Sequence, residues 1–331
     1  MPASHAPSFA TLNQAAEWFA LLRSGEASPA DRSQWQAWLA SSPEHREAWQ
    51  RVERISGCFE PIQAMTEPRA AIGALGAVGN RMRRRVVPSL ATLVGGCLLG
   101  WSTWRHGPLP ELTAAWHADH RSTSGEIREI ALTDGSRVWL ASGSAIDEDF
   151  QGELRRLRLL AGEILVQTAA DPRAFVVDTP QGRLRALGTR FTARLDGSET
   201  LLAVYEGAVE IRTENGTVAV VEAGSQRRFT ATAIAGPDQA DPAREAWAKG
   251  ILIARDIPLA EVVGELRRYR GGWLGVAPEV ANLSVFGSYP LNDPDRALNM
   301  LASVLPIRIR HTLPWWVSIE PLETPPRQPA S

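Results

Sequence analysis

Cysteine is almost absent from this sequence: Cys58 and Cys97 are the two in 331 residues, with no CxxC spacing and no Cys/His cluster. Neither a disulfide framework nor a structural zinc site is supported. The six histidines (His5, His45, His106, His117, His120 and His311) are scattered. His117 and His120 could share a helical face, but two ligands without a third read as solvated surface. No Walker loop or HExxH is present, and Gly73, Gly76 and Gly79 follow no strand, so they form no nucleotide fingerprint. No metal, no cofactor and no enzyme acting on an external substrate are expected. Excess charge is missing too: 35 basic residues, of which only Lys249 is lysine, stand against 37 acidic ones. A net charge of -2 argues against a nucleic-acid coat.

What is present is an ordinary packing composition, 44% hydrophobic and 22% charged, in a chain long enough for two or three domains. One stretch organises the rest. Val86 to Trp104 carries no charge over 19 residues and follows Arg81, Arg83, Arg84 and Arg85. At ~1.5 Å per residue it spans ~28 Å, close to the thickness of a bilayer core, with Trp101 and Trp104 where an interfacial belt belongs. The competing assignment is a buried core helix. The arginines hold their side in the cytoplasm, which predicts a single pass with the N-terminus inside and the C-terminus outside. A cleaved signal peptide would lie earlier, so the stretch reads as an anchor. Gly96 and Gly100 form a GxxxG through which two such helices could pair as a homodimer.

Residues 8–60 predict three short amphipathic helices. Ser28-Pro29-Ala30-Asp31 and Ser42-Pro43-Glu44 open two of them, and the apolar positions follow a helical period: Ala15, Trp18, Phe19, Leu22; Trp35, Trp38, Leu39; Ala48, Trp49, Val52, Ile55, Phe59. Four tryptophans are more aromatic surface than so small a bundle can cover, so part of that face is expected to meet a partner. DNA is a poor candidate, because the segment holds five arginines against seven carboxylates. Residues 61–85 read as a connector and basic flank.

Beyond the apolar stretch the periodicity turns to alternation. Short strands separated by turn signals at Thr133-Asp134-Gly135-Ser136, Ala161-Gly162, Glu206-Gly207 and Asn215-Gly216 predict an all-β sandwich, barrel or solenoid over 121–235. Over 245–320 a strand, a helix with Leu259, Val262, Val263 and Leu266 on one face, a second strand at Leu283–Phe286, a second helix and closing strands at 307–309 and 316–319 give a small α/β module of βαββαββ order.

These residues resemble the FecR family of sigma-factor regulators. The motifs are Leu132-Thr133-Asp134-Gly135-Ser136-Arg137-Val138-Trp139-Leu140, Leu160-Ala161-Gly162-Glu163, Asp171-Pro172-Arg173-Ala174-Phe175-Val176-Val177, Ala186-Leu187-Gly188-Thr189-Arg190-Phe191, Val204-Tyr205-Glu206-Gly207-Ala208-Val209 and Ala223-Gly224. Trp38-Leu39, Ser42-Pro43-Glu44-His45 and Ala48 look like that family's cytoplasmic domain, while Ala174 departs from a position where the family often has proline. The last module is similar to the short signalling domain of secretins and TonB-dependent transducers.

The resemblance implies an inner-membrane anti-sigma factor. Trp18, Phe19, Trp35, Trp38, Leu39, Trp49 and Val52 would bind an extracytoplasmic-function sigma factor. Leu283, Val285, Phe286, Tyr289, Ile307 and Ile309 would meet the periplasmic signalling domain of a TonB-dependent receptor, for ferric siderophore uptake. It further implies self-cleavage at Gly188-Thr189 in some members, by threonine attack on the preceding carbonyl. The alternatives are an anchored envelope adaptor whose β domain binds saccharide or peptidoglycan, and a module that simply packs on the β domain.

Overall fold

A computed structural model describes residues 6–64 and 117–322. The apolar stretch at 86–104, its arginine flank and the Gly96/Gly100 pair lie outside these residues. Among the described residues no helix is long and apolar enough to cross a membrane.

The head is three helices, α1 (Phe9–Arg23), α2 (Pro29–Ser41) and α3 (Pro43–Ala64). The starts of α2 and α3 are where Ser28-Pro29 and Ser42-Pro43 put them, for a local reason. Ser28 Oγ accepts from Asp31 N while Ser28 N donates to Asp31 Oδ2, a reciprocal box that satisfies two amides lacking helical partners. Ser8 Oγ caps α1, and Ser8 N donates to Glu44 Oε1 at 2.9 Å, pinning the start of α1 to that of α3. Leu12, Ala15, Ala16, Phe19, Ala48 and Val52 form the interior.

Fourteen strands follow: β1 (His120–Arg121), β2 (Arg128–Ala131), β3 (Arg137–Leu140), β4 (Ala145–Asp149), β5 (Leu154–Ala161), β6 (Glu163–Gln167), β7 (Ala174–Thr179), β8 (Gly182–Ala186), β9 (Arg190–Asp196), β10 (Glu199–Glu206), β11 (Ala208–Thr213), β12 (Val218–Glu222), β13 (Ser225–Phe229) and β14 (Asp238–Gln239). They build two seven-stranded sheets, in the orders β1-β4-β5-β7-β8-β11-β12 and β14-β13-β10-β9-β6-β3-β2. Of the three expected architectures, the sandwich is the one found. Between the sheets Leu157, Leu159, Ile164, Val166, Phe175, Val177, Leu184 and Phe191 are fully enclosed, each worth roughly 1.5–3 kcal/mol of burial.

The chain changes sheet again and again, and glycine marks the corners. Asp134-Gly135 and Asn215-Gly216 are hairpin turns within one sheet. Ala161-Gly162, Gly188 and Glu206-Gly207 instead carry the chain from one sheet to the other. A Cβ on Gly162 would stand 2.2 Å from Ser144 Oγ, and one on Gly207 would stand 2.3 Å from the Gly188 carbonyl oxygen. Two crossings pass at van der Waals contact there, with φ at +79° and +73°, so both space and backbone require glycine.

A 3-10 helix (Pro242–Lys249) leads to the last module: β15 (Ile251–Pro258), α4 (Leu259–Tyr269), β16 (Trp273–Val276), β17 (Ser284–Pro290), α5 (Pro294–Val304), β18 (Ile307–Leu313) and β19 (Trp316–Pro321). β15 pairs with β17, while β16, β19 and β18 form a three-stranded sheet in which β16 and β19 run parallel. The module packs on the outer face of the second large sheet, its core reaching Ala141 and Leu165 with Trp139 and Tyr205 alongside. β6 is consequently covered on both faces.

Candidate partner-binding surfaces

The head's aromatic residues divide into two sets. Trp18, Trp35, Trp38, Leu39 and Trp49 are half-buried, and α2 contains no buried residue. Trp35 meets Trp49 at 5.0 Å between ring centroids, and Trp38 stacks on His45 at 4.4 Å while its Nε1 donates to Gln14 Oε1. The indole N–H groups of Trp18 and Trp35 are covered and find no acceptor among the described residues. Phe19 and Val52 belong elsewhere: both sit in the bundle interior, Val52 with 0% of its surface exposed and Phe19 covered in part by Trp315 of the last module.

The surplus aromatic surface expected of the head is partly covered by the chain itself. Trp315 and Trp316, at the β18–β19 turn, seat between α1 and α3. Trp316 Nε1 donates to Asn13 Oδ1 at 3.0 Å, both groups being buried. Trp315 lies edge-on to Phe19 at 5.9 Å and stacks on Phe59 at 6.1 Å, and Phe9 meets Trp273 at 5.9 Å. Arg310 and Glu17 close the rim at 2.6 Å.

In the C-terminal module the six expected receptor contacts also separate. Val285, Tyr289 and Ile307 are core residues, since alternate side chains of a strand face opposite ways and these face inward. Leu283 and Ile309 are half-buried, and Phe286 is 65% exposed on β17, which among the described residues pairs only with β15. Among the described residues, that leaves an unpaired strand edge beside an exposed phenylalanine.

Gly188-Thr189 lies at the corner between β8 and β9. Thr189 is 4% exposed, and its Oγ1 is covered without a hydrogen-bond partner among the described residues. Its backbone is held from both sides: Thr189 N donates to Thr168 Oγ1 and Thr168 N donates to the Thr189 carbonyl. Gly188 has φ +75°.

Two charged networks have structural tasks. Asp134, from the Asp-Gly-Ser turn, receives Ser136 N, Ser136 Oγ and Arg155 Nη1. Arg155 also donates to the carbonyls of Ala169 and Arg173 and lies over Phe175. Burial would raise the Asp134 carboxyl, but the hydrogen bonds from Ser136 and Arg155 outweigh it and hold the group below its ordinary range. Asp171 is taken down to about 2 by hydrogen bonds from Arg173. Between sandwich and module, Arg268 bridges Glu163 (2.5 Å) and Glu265 (3.1 Å), and Arg194 reaches Glu265 at 2.7 Å. His120 pairs with Glu148, and among the described residues no group of three metal-ligating side chains occurs.

Comparison with known proteins agrees with this architecture. The family described as FecR protein matches residues 118–210, and the domain of unknown function DUF4880 matches residues 13–55. Resemblance to the FecR family is therefore shown over most of the sandwich. No curated protein matches the sequence. Among solved structures, two crystal structures of a proposed anti-sigma factor from Parabacteroides distasonis share the fold at 21% identity. They cover 61% of this chain and 97% and 98% of their own, with TM-scores of 0.50 and 0.51.

Proposed function

We propose that this chain, with a FecR domain behind a DUF4880 head, is a sigma-factor regulator that binds its sigma factor through the half-exposed tryptophans of α2 and α3. One observation carries the reading: α2 presents Trp35, Trp38 and Leu39 without burying a single side chain, on a head whose acidic balance disfavours nucleic acid. Purified extracytoplasmic-function sigma factors of the host, titrated against the full chain, test it. Trp35→Ala/Trp38→Ala should weaken binding at least tenfold, as expected for central aromatic anchors; equal binding by this variant, or salt-sensitive duplex binding in its place, would remove the reading.

The finer parts of the proposal rest on sequence. Val86 to Trp104 would anchor the protein in the inner membrane, N-terminus inside, with Arg81, Arg83, Arg84 and Arg85 setting orientation and Gly96 and Gly100 available for pairing. The module would then receive a TonB-dependent receptor, for a ferric siderophore, through the β17 edge at Phe286 by strand addition. Signal release by proteolysis of the anchor would fit the alanine- and glycine-rich composition of residues 61–80. The unpartnered Thr189 hydroxyl beside Gly188 suits attack on the Gly188 carbonyl: a C–O bond forms as C–N breaks, and water then opens the ester. An anchored saccharide- or peptidoglycan-binding adaptor would leave the tryptophans of α2 without a role.

A further inference from the structure

We propose that the aromatic edge of the C-terminal module is a built-in occupant of the head, and that it competes with the head's protein partner for the groove between α1 and α3. The contact has the make-up of a specific interface. Its centre is aromatic, with Trp316 fully enclosed and stacked on Trp273 at 4.1 Å. It contains one matched polar pair, Asn13, the one polar residue among the buried residues of α1, and the Trp316 indole, so neither is buried without a partner. Its rim carries opposite charges on Glu17 and Arg310. A greasy accident would need neither the polar match nor the rim pair.

Phe19 makes the groove and the α2 side one surface. It packs against Trp49 at 5.7 Å on one side and Trp315 on the other. A partner confined to α2 could bind with the module in place. One that wraps α1 and α3 must first displace Trp315 and Trp316, and its apparent affinity falls by the fraction of chains that stand open. Closure also requires head and module to share a compartment. A bilayer through 86–104 would hold them apart, so membrane insertion itself would uncover the groove.

This inference rests on the sigma-factor reading, and the test separates the two. Arg51 and Arg267 line one pocket at the head–module contact. In the full-length chain in detergent, with Cys58→Ser and Cys97→Ser, a short bismaleimide should join Arg51→Cys to Arg267→Cys. The same pair should stay unjoined in native membranes. On the module, remote from any head contact with the partner, Arg310→Glu sets like charges face to face. It should lower the cross-link yield and raise affinity for the purified sigma factor about fivefold, and adding Glu17→Arg should restore the cross-link. Failure to cross-link in detergent overturns the contact, and a cross-link that persists in membranes overturns insertion as the opener. Unchanged affinity in Arg310→Glu overturns the competition. If no sigma factor binds any variant while the cross-link forms, the proposed function fails and the competition with it, leaving the contact standing.

Discussion

Arg155 Nη1 donates to Asp134 Oδ2 at 2.7 Å inside the sandwich, joining the β2–β3 turn to β5 where the two side chains are 0% and 6% exposed. The pair explains why the Asp-Gly-Ser turn has an aspartate: its carboxylate organises Ser136 locally and anchors a guanidinium whose other donors hold the carbonyls of the 169–173 loop. Removing one member leaves the other charged and enclosed. Arg155→Met should cost about 3–5 kcal/mol in a denaturant titration, more than replacing both residues together.

The same group gives a pH dependence. Its folded carboxyl lies below the ordinary value, so the ionised form favours the native state; Asp171, at about 2, acts in the same direction. Their stabilisation is complete above the ordinary carboxylate range near pH 4 and disappears as pH falls through the lowered folded values. The Tm of the wild type should therefore drop more steeply below pH 4 than that of Asp134→Asn; parallel curves would show that this carboxylate contributes nothing.

The corner glycines allow a matched comparison. Gly207→Ala must fit a Cβ 2.3 Å from the Gly188 oxygen at φ +73°, whereas Gly216→Ala, at φ +84°, meets nothing within 4 Å. Gly216→Ala should cost the left-handed penalty alone, about 1–2 kcal/mol. Gly207→Ala should cost several kcal/mol and sharply reduce soluble yield, because the obstacle is backbone.

Thr189→Val keeps the shape of the side chain and deletes a hydroxyl that finds no partner among the described residues. Its stability should match wild type within about 1 kcal/mol. If the threonine is the nucleophile, two fragments seen for wild type on a denaturing gel should merge into one band in this variant. A single unbroken band for both proteins would end the self-cleavage proposal.

Much of the sandwich was legible in the sequence, because strand alternation and turn chemistry are local. The hairpins at Asp134-Gly135 and Asn215-Gly216 obey that logic. Ala161-Gly162 and Glu206-Gly207 look the same in one dimension, yet they are sheet-changing corners, since what demands glycine there is a distant piece of backbone. The helix starts at Ser28-Pro29 and Ser42-Pro43 were equally local. Which aromatic residues lie open was not: Val52 and Trp49 both fall on the apolar period of α3, and packing against α1 separates core from surface. Asn13 gave no signal, because its partner lies 303 residues away.

The repeated change of sheet has one more outcome for the Gly188-Thr189 bond. Were it severed, the upstream piece would own β1, β4, β5, β7 and β8 of one sheet and β2, β3 and β6 of the other, the downstream piece the remainder. Each half would supply a block of adjacent strands to both layers, and the two halves would stay joined by the β8–β11 and β6–β9 ladders and the core between the sheets. A nicked molecule should thus travel as one particle on a sizing column, its scission invisible until denaturant pulls the halves apart.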